Sequence, residues 1–437
     1  MMLNKYVAID LGSSKITALA AEVQADNTLK ILAVESKPSE DIKHGIIEQL
    51  SGAAYKISEL TRLIQNSARI HDIDQVSVSV GAKSMKSTSV TISRFVGASK
   101  TVSDQLIYEM NEECIKKVQK DNIAVFDVIP LYYELDGHRT DDPTNKKATQ
   151  ITARYTVIYG NKIVKDAIDR CFERTGLVAE CIPVAAECLS TAVLDENDRE
   201  NGCALINFGA STTTLAIYKN DTLQQMLIVP LGGRNITKDI QELGISESHA
   251  ERLKCIKGFA MERLVEEPIF VQIPSVEDEK PPVKISTKFL ATIIEARIEE
   301  ILQPIIEKIN AFPDTLEEGI IITGGASQLK NLIDLVSEKT GMETRFGSHA
   351  EWLSDKSAEK YLSTDLSQLV GTILLQHEYR QEHPVEEIKV VKTVSKLPKK
   401  GLKDRIANGL INFFGDENSM NEDKEDDQAQ ATNKKRF

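Results

Sequence analysis

The stretch VAIDLGSSKITALA, Val7 to Ala20, has a counterpart far downstream in ALINFGASTTTLAI, Ala204 to Ile217. Aligned, Asp10 meets Asn207, Gly12 meets Gly209, Ser14 meets Ser211 and Thr17 meets Thr214. In both, an apolar run ends in a turn of small residues and re-enters an apolar run at once. That pattern predicts a tight β-hairpin, with glycines that permit unusual φ values and close backbone approach. Successive exposed N–H groups, with Ser and Thr hydroxyls beside them, suit phosphate oxygens. Two such hairpins, one in each half of the chain, would clamp a polyphosphate from both sides of a cleft. A third turn lies in GIIITGGASQLKNLIDLV, Gly319 to Val336, where a strand runs into Gly324-Gly325 and then a helix. It would hold the nucleoside end.

The bulk properties narrow the classes. At 437 residues the chain exceeds a single core and implies two or three domains. Its 41% hydrophobic and 27% charged residues are ordinary for a globular protein. A net charge of -13 argues against general nucleic-acid binding, which needs a basic face. The six cysteines show no CxxC and no zinc-like spacing with histidine, and read as small core residues of a reduced, cytosolic protein. No apolar run approaches the ~18 residues of a membrane span, and MMLNKYVAID already reads as a strand.

Along the chain, residues 1–83 read as strand, turn, strand and strand, a helix from about Ser51 to Ala68, and an alternating strand ending near Gly81. Residues 84–160 change character. β-rich runs surround one amphipathic helix, Ser103 to Val118, as expected of a small α+β module inserted into the first domain. The βα rhythm returns over 161–200, with a helix at Lys162–Arg174, a strand at Leu177–Ile182 and a helix from Pro183. A second domain is expected over 201–376, closing with a helix near Gln376. A charged linker at 377–398, a basic-apolar segment at 399–415 and a disordered acidic tail at 416–437 complete the chain.

The order hairpin, PVAAECLSTA, hairpin, PLGGRNITKDI and TGGASQLKNL resembles the nucleotide-binding motifs of the actin and heat-shock-chaperone ATPase superfamily. Within it the chain is similar to the bacterial division family FtsA. The inserted module stands where that family carries its 1C subdomain, and GGRNITKDIQELGISESHAERLK and the basic-apolar segment point the same way. The resemblance implies an α/β, actin-like two-domain fold with duplicated βββαβα-type halves, the inserted α+β subdomain and a C-terminal amphipathic helix. It also implies ATP and Mg²⁺ as cofactors. Carried over by position, Gly12, Ser13, Ser14 and Lys15 would hold phosphates, as would Gly209, Ala210, Ser211 and Thr212. Asp10 would reach the magnesium ion through water. Gly232 and Gly233 would lie against ribose or phosphate, Glu251 and Lys254 would meet sugar or base, and Gly324, Gly325 and Ala326 would line the adenine pocket. Without the resemblance, Glu251 and Lys254 read equally as a solvated helix face, and Lys15 as an exposed strand lysine.

The superfamily's second-hairpin aspartate helps hold the metal and the attacking water. Asn207 keeps its shape but not its charge, and cannot act as a base. Ile182 stands where kin carry an acidic residue, and Ala210 and Ser211 stand where glycines are usual. Nucleotide binding with little or no hydrolysis is therefore expected, unless another carboxylate such as Glu187 substitutes. A small-molecule kinase of the same superfold would need such a base. A chaperone ATPase would need a large domain after residue 376. An MreB-like or pilus-assembly ATPase remains the nearest alternative.

The family resemblance further implies filaments, the C-terminal peptide of FtsZ as a partner, and a peripheral location on the cytoplasmic face of the membrane at the division site. PPVKISTKFLATIIEARIEEIL matches the partner-binding region, with Lys284 and Arg297 as candidates to pair with acidic groups. Alternatively, Arg297 pairs in solvent with Glu300, three residues on. In KKGLKDRIANGLINFFG, Lys399 to Gly415, the residues Leu402, Ile406, Leu410, Phe413 and Phe414 share one helical sector of ~120°. From Lys392 to Arg405 six basic residues face one acid, Asp404, which suits an anionic membrane surface. A helix packed back on the second domain is the competing reading.

Overall fold

The computed structural model describes residues 4–277, 280–355 and 359–382. The amphipathic segment 399–415 and the tail 416–437 lie outside the described residues.

β1 (Lys5–Leu11) and β2 (Lys15–Val23) form the first hairpin, followed by β3 (Leu29–Pro38), the short strands β4 (Ile42–Lys43) and β5 (Ile46–Ile47), α1 (Leu50–Ala68) and β6 (Gln75–Ser79). Next come β7 (Lys86–Thr101), α2 (Asp104–Val118), β8 (Ile123–Leu135), β9 (His138–Thr140) and β10 (Lys147–Asn161). The chain returns through α3 (Ile163–Thr175), β11 (Val178–Cys181), α4 (Ala185–Val193) and α5 (Glu196–Asn201). The second half opens with β12 (Cys203–Phe208), β13 (Thr213–Lys219), β14 (Thr222–Val229), α6 (Gly233–Gln241) and α7 (Glu247–Lys257). It continues with β15 (Phe270–Ile273), β16 (Val283–Ser286), α8 (Thr287–Asn310), β17 (Ile320–Thr323), α9 (Leu332–Thr340), β18 (Thr344–Phe346) and α10 (Ser367–Glu382).

The duplication is visible in the sheets. The first runs β11-β6-β1-β2-β3 and the second β18-β17-β12-β13-β14, so each hairpin occupies the same place in its sheet. β1 pairs antiparallel with β2 and parallel with β6; β12 pairs antiparallel with β13 and parallel with β17. Even the register repeats: Asp10 faces Thr17, and Asn207 faces Thr214. A separate sheet, β7-β10-β8-β9, carries α2 packed on it and touches β14 at the edge of the second sheet. Ser103 caps α2 by accepting from the Leu106 amide at 3.2 Å, which fixes the helix start.

Side-chain alternation explains the packing. On β12 and β13 the residues Leu205, Ala216 and Tyr218 join the core of the first half, while Ala204, Ile206, Leu215 and Ile217 join that of the second. A strand turns successive side chains to opposite faces, so a run apolar on both sides is one buried on both sides. α1 buries Ala53, Ile57, Leu60 and Ile64 against the first sheet, the spacing of a single helical face.

Three boundaries differ from the sequence reading. The helix expected from Pro183 starts at Ala185, because Val184 still bridges to Val80. Gly325–Gln328 forms a 3₁₀ turn before α9 begins. The closing helix continues through Glu382, so residues 377–382 are helix and not linker. It also packs on the first half, not the second: Leu369, Val370 and Ile373 enter the first core. At its far end Arg380 makes a two-pronged bond to Glu180, 2.7 and 2.6 Å, and Gln376 donates to the same carboxylate at 2.6 Å.

Candidate functional site

The two hairpins face each other across a cleft of about 660 Å³ between the halves, a volume in the range of small-ligand sites. The first-hairpin residues Asp10 and Gly12 to Lys15 line one wall, and Gly209 to Thr212 the other. Gly324, Gly325 and Ala326 line the end beside the second sheet, and Gly233, Glu251 and Lys254 the side formed by α6 and α7. Gly232 packs instead against the second hairpin: a Cβ there would stand 2.5 Å from the Gly209 carbonyl oxygen.

The glycines are demanded by close approach. A Cβ on Gly12 would lie 2.4 Å from the Lys15 carbonyl oxygen, and one on Gly209 would lie 2.8 Å from that of Thr212. Gly324 has φ +95°, and a Cβ there would strike the Asn207 amide oxygen at 2.2 Å. Such backbone proximity is what a polyphosphate cradle requires.

The walls are tied together. Ser211 Oγ donates to Ser13 Oγ at 2.6 Å. The His44 amide donates to Ser211 Oγ at 3.1 Å, and His44 Nδ1 lies 2.8 Å from the Ser211 carbonyl oxygen. Lys15 Nζ pairs with Asp365 Oδ2 at 2.5 Å, so Lys15 is not an unengaged strand lysine. Burial pushes the Asp365 carboxyl up, but the Lys15 and Ser363 hydrogen bonds and the Lys15 charge outweigh it and hold the group below its ordinary value. Burial raises Asp10 to about 6, against the opposing pull of Lys15 and with a further push from Asp365. Gln368 Nε2 donates to Asp10 Oδ1 at 2.9 Å and to Ser79 Oγ at 2.8 Å.

A fit to ATP and Mg²⁺ rests on this chemistry: glycine cradles on both walls, a cation at Lys15, and an acidic group at Asp10 whose burial would be relieved by a metal charge. Sequence reading missed Asp365, Gln368 and Arg234, which also line the cleft. Arg234 directly follows Gly232-Gly233, and Asp365 and Gln368 sit where α10 begins, a signal available in STDLSQ. Glu187, the substitute carboxylate left open by the sequence, is buried in the first turn of α4 and is not among the lining residues; Ile182 is buried as well. Among the described residues no cluster of His, Cys, Asp and Glu forms a ready metal site.

The partner-surface candidates face different neighbours. Lys284 Nζ lies 4.3 Å from the centre of the exposed Phe270 ring. Arg297 grips Asp239 on α6 with two bonds of 2.6 and 2.7 Å and also bonds Glu300. Its pairing is therefore largely internal. Five of the six cysteines are buried, as a reduced core predicts; Cys255 is exposed.

A family model described as "Cell division protein FtsA" matches residues 204–368. The chain is 28% identical to the cell division protein FtsA of Bacillus subtilis (strain 168), covering 78% of each. It is 26% identical to that of Escherichia coli (strain K12), covering 89% of this chain and 93% of that protein. Among solved structures it is similar to the PilM-PilN type IV pilus biogenesis complex, with TM-score 0.61, 15% identity, and coverage of 85% of this chain and 98% of that one. MreB5 of Spiroplasma citri bound to ADP gives TM-score 0.54 and 12% identity over 87% of this chain and 98% of that one. At such identities these structures show the fold alone, and that fold is the actin-like one. No helix among the described residues is long and apolar enough to cross a membrane. The family read from the sequence, that of the cell division protein FtsA, is the one to which both sequence comparisons lead.

Proposed function

We propose that this chain is an ATP- and Mg²⁺-binding assembly protein of cell division. In this reading it polymerises, takes the C-terminal peptide of FtsZ, and tethers FtsZ filaments to the cytoplasmic face of the membrane at the division site. The observation that carries it is the pair of register-matched glycine hairpins facing each other across one cleft. Bound ATP and Mg²⁺ would supply the charges that hairpin amides, Lys15 and Asp10 are placed to meet. The ADP held by the MreB5 neighbour supports a nucleotide in this fold. Asn207 in place of a carboxylate, and a Glu187 that is not among the residues lining the cleft, favour binding over hydrolysis.

The domain scheme follows: a first actin-like domain over 1–83 and 161–200, the inserted subdomain over 84–160, and the second domain over 201–376, with α10 returned to the first. The membrane contact falls to Leu402, Ile406, Leu410, Phe413 and Phe414, with avidity along a filament making weak single contacts firm. The test has two arms. Gly325→Val, whose Cβ would meet only Asp365 Cβ at 3.6 Å, should fill the adenine end and abolish ATP binding in calorimetry while the protein stays folded. Phe413→Glu should stop the chain, and FtsZ with it, floating with anionic vesicles. ATP affinity unchanged by the first, or flotation unchanged by the second, overturns the respective half of the proposal.

A further inference from the structure

Among the described residues three cations line the cleft, Lys15, Arg234 and Lys254, against four acids. A polyanion entering there needs positive charge that is not already spent within the walls. Lys254 is spent. Its Nζ lies 3.0 Å from the Gly233 carbonyl oxygen, 2.9 Å from Thr237 Oγ1 and 2.7 Å from Glu251 Oε2, and an ammonium has three N–H donors to give. Lys15 is paired with Asp365 at 2.5 Å. Arg234 is held far less firmly. Its Nε stands 3.9 Å from Glu247 Oε1, beyond hydrogen-bond range, and the Glu247 side chain is 60% exposed. Such a pair is weak, and giving it up costs little.

The main chain around Arg234 is committed elsewhere. The Gly233 amide donates to the Gly209 carbonyl at 3.0 Å, the Arg234 amide to that of Ala210 at 2.7 Å, and the Asn235 amide to that of Gly232 at 2.9 Å. The Gly232 amide donates to Asn235 Oδ1 at 3.0 Å. The start of α6 therefore keeps its amides for the protein, and an anion on this wall must be met by a side chain. The same bonds fasten Arg234 to the turn of the second hairpin, so its side chain begins beside the expected phosphate cradle. A guanidinium offers five donors in a planar fork that matches phosphate oxygens.

We propose that Arg234 is a phosphate-binding residue of the cleft, parked on Glu247 at the rim and exchanging that carboxylate for a phosphate group of the ligand. The inference rests on the nucleotide reading of the cleft and adds to it a cation that the family resemblance does not assign. Glu247 is then a competitor for the guanidinium and not a ligand contact.

Calorimetry of the full chain with ATP and tripolyphosphate, and displacement titration with adenosine, test this. Arg234→Gln should weaken ATP and tripolyphosphate about tenfold, the loss of one charge-assisted hydrogen-bonded contact. Adenosine affinity should not change. Arg234→Lys should recover part of the loss, because it keeps the charge without the fork. The weakening of ATP binding by salt should be less steep in Arg234→Gln than in the wild type. Glu247→Gln should tighten ATP about two- to fivefold by releasing the guanidinium, and that gain should vanish in the Arg234→Gln background. If Arg234→Gln does not fold, Glu247→Gln alone must tighten ATP and leave adenosine unchanged. ATP affinity unmoved in Arg234→Gln, an equal loss for adenosine, or a Glu247→Gln gain that persists without Arg234 overturns the proposal. A wild type that binds neither ATP nor tripolyphosphate overturns the nucleotide reading instead.

Discussion

Ser211 Oγ stands 2.6 Å from Ser13 Oγ, joining the turn of the second hairpin directly to the turn of the first. The bond exists because Ser211 occupies a position where the resemblance leads one to expect glycine, and His44 braces it from the first half with its amide and its ring. The chain thus carries a side-chain tie between its halves at the point where phosphates would enter.

Ser211→Gly removes that tie without crowding the turn. We expect faster nucleotide exchange, by roughly three- to tenfold, in line with a hydrogen bond worth about 1 kcal/mol. Stopped-flow release of a fluorescent ATP analogue reads it. An unchanged off-rate would mean that the tie does not restrain the cleft.

Lys15 cannot serve Asp365 and a phosphate fully at once. The pair is 42% and 21% exposed at its two side chains, so its strength is discounted for solvent to about 0.5–1 kcal/mol. Asp365→Asn should tighten ATP binding about two- to fivefold, and Lys15→Ala should weaken it. In the double variant the Asp365 effect should vanish. Additive effects in calorimetry would show that the two residues act independently.

Asp10 carries a folded-state pKa of about 6 against an ordinary 3.8. A carboxyl raised on folding favours the native state fully below the unfolded value, and that contribution is lost as pH climbs through the folded value. Asp10→Asn keeps an acceptor for Gln368 and escapes the cost of burying charge. Without nucleotide or metal the variant should gain stability over wild type as pH rises from about 3.8 through about 6, levelling off above that at up to about 3 kcal/mol. Urea denaturation across that range checks the slope. A constant difference would refute it.

Asn207→Asp restores a carboxylate across the cleft from Asp10. If missing charge limits turnover, phosphate release should rise at least tenfold. A flat rate places the deficit at Ile182, where the buried apolar side chain offers no group to orient water.

The partner surface is expected around exposed Phe270 and Phe289, 61% and 54% accessible, with Lys284 beside the first ring. Phe289→Glu or Lys284→Glu should weaken binding of the FtsZ C-terminal peptide about tenfold or more, since aromatic anchors dominate such interfaces. Fluorescence anisotropy reads the affinity. Arg297→Glu is a poor probe, because it would set a second acid against Asp239 and lose stability.

The sequence by itself determined the duplicated hairpins, their place in the chain, and the inserted module. These are properties of local pattern: two-residue alternation, glycine where backbones must touch, and a helix face of Ile57, Leu60 and Ile64. Asn207 and Asp10 could be set in equivalent positions because a hairpin is built from neighbours in the chain. Only the tertiary structure decided which side chains meet across the cleft. Lys15 and Asp365 are separated by most of the chain, and nothing local to either names the other. Lys254 reads as a surface lysine one helical turn from Glu251, and its burial comes from α6 packing over it. α10 follows the second half in sequence yet returns to the first, because its apolar face completes the first core and Glu180 holds Arg380 at its end. Helical periodicity tells which face of a segment is apolar. It carries no information on which distant surface will cover that face, since burial rewards any complementary apolar partner alike and only the closed fold selects one.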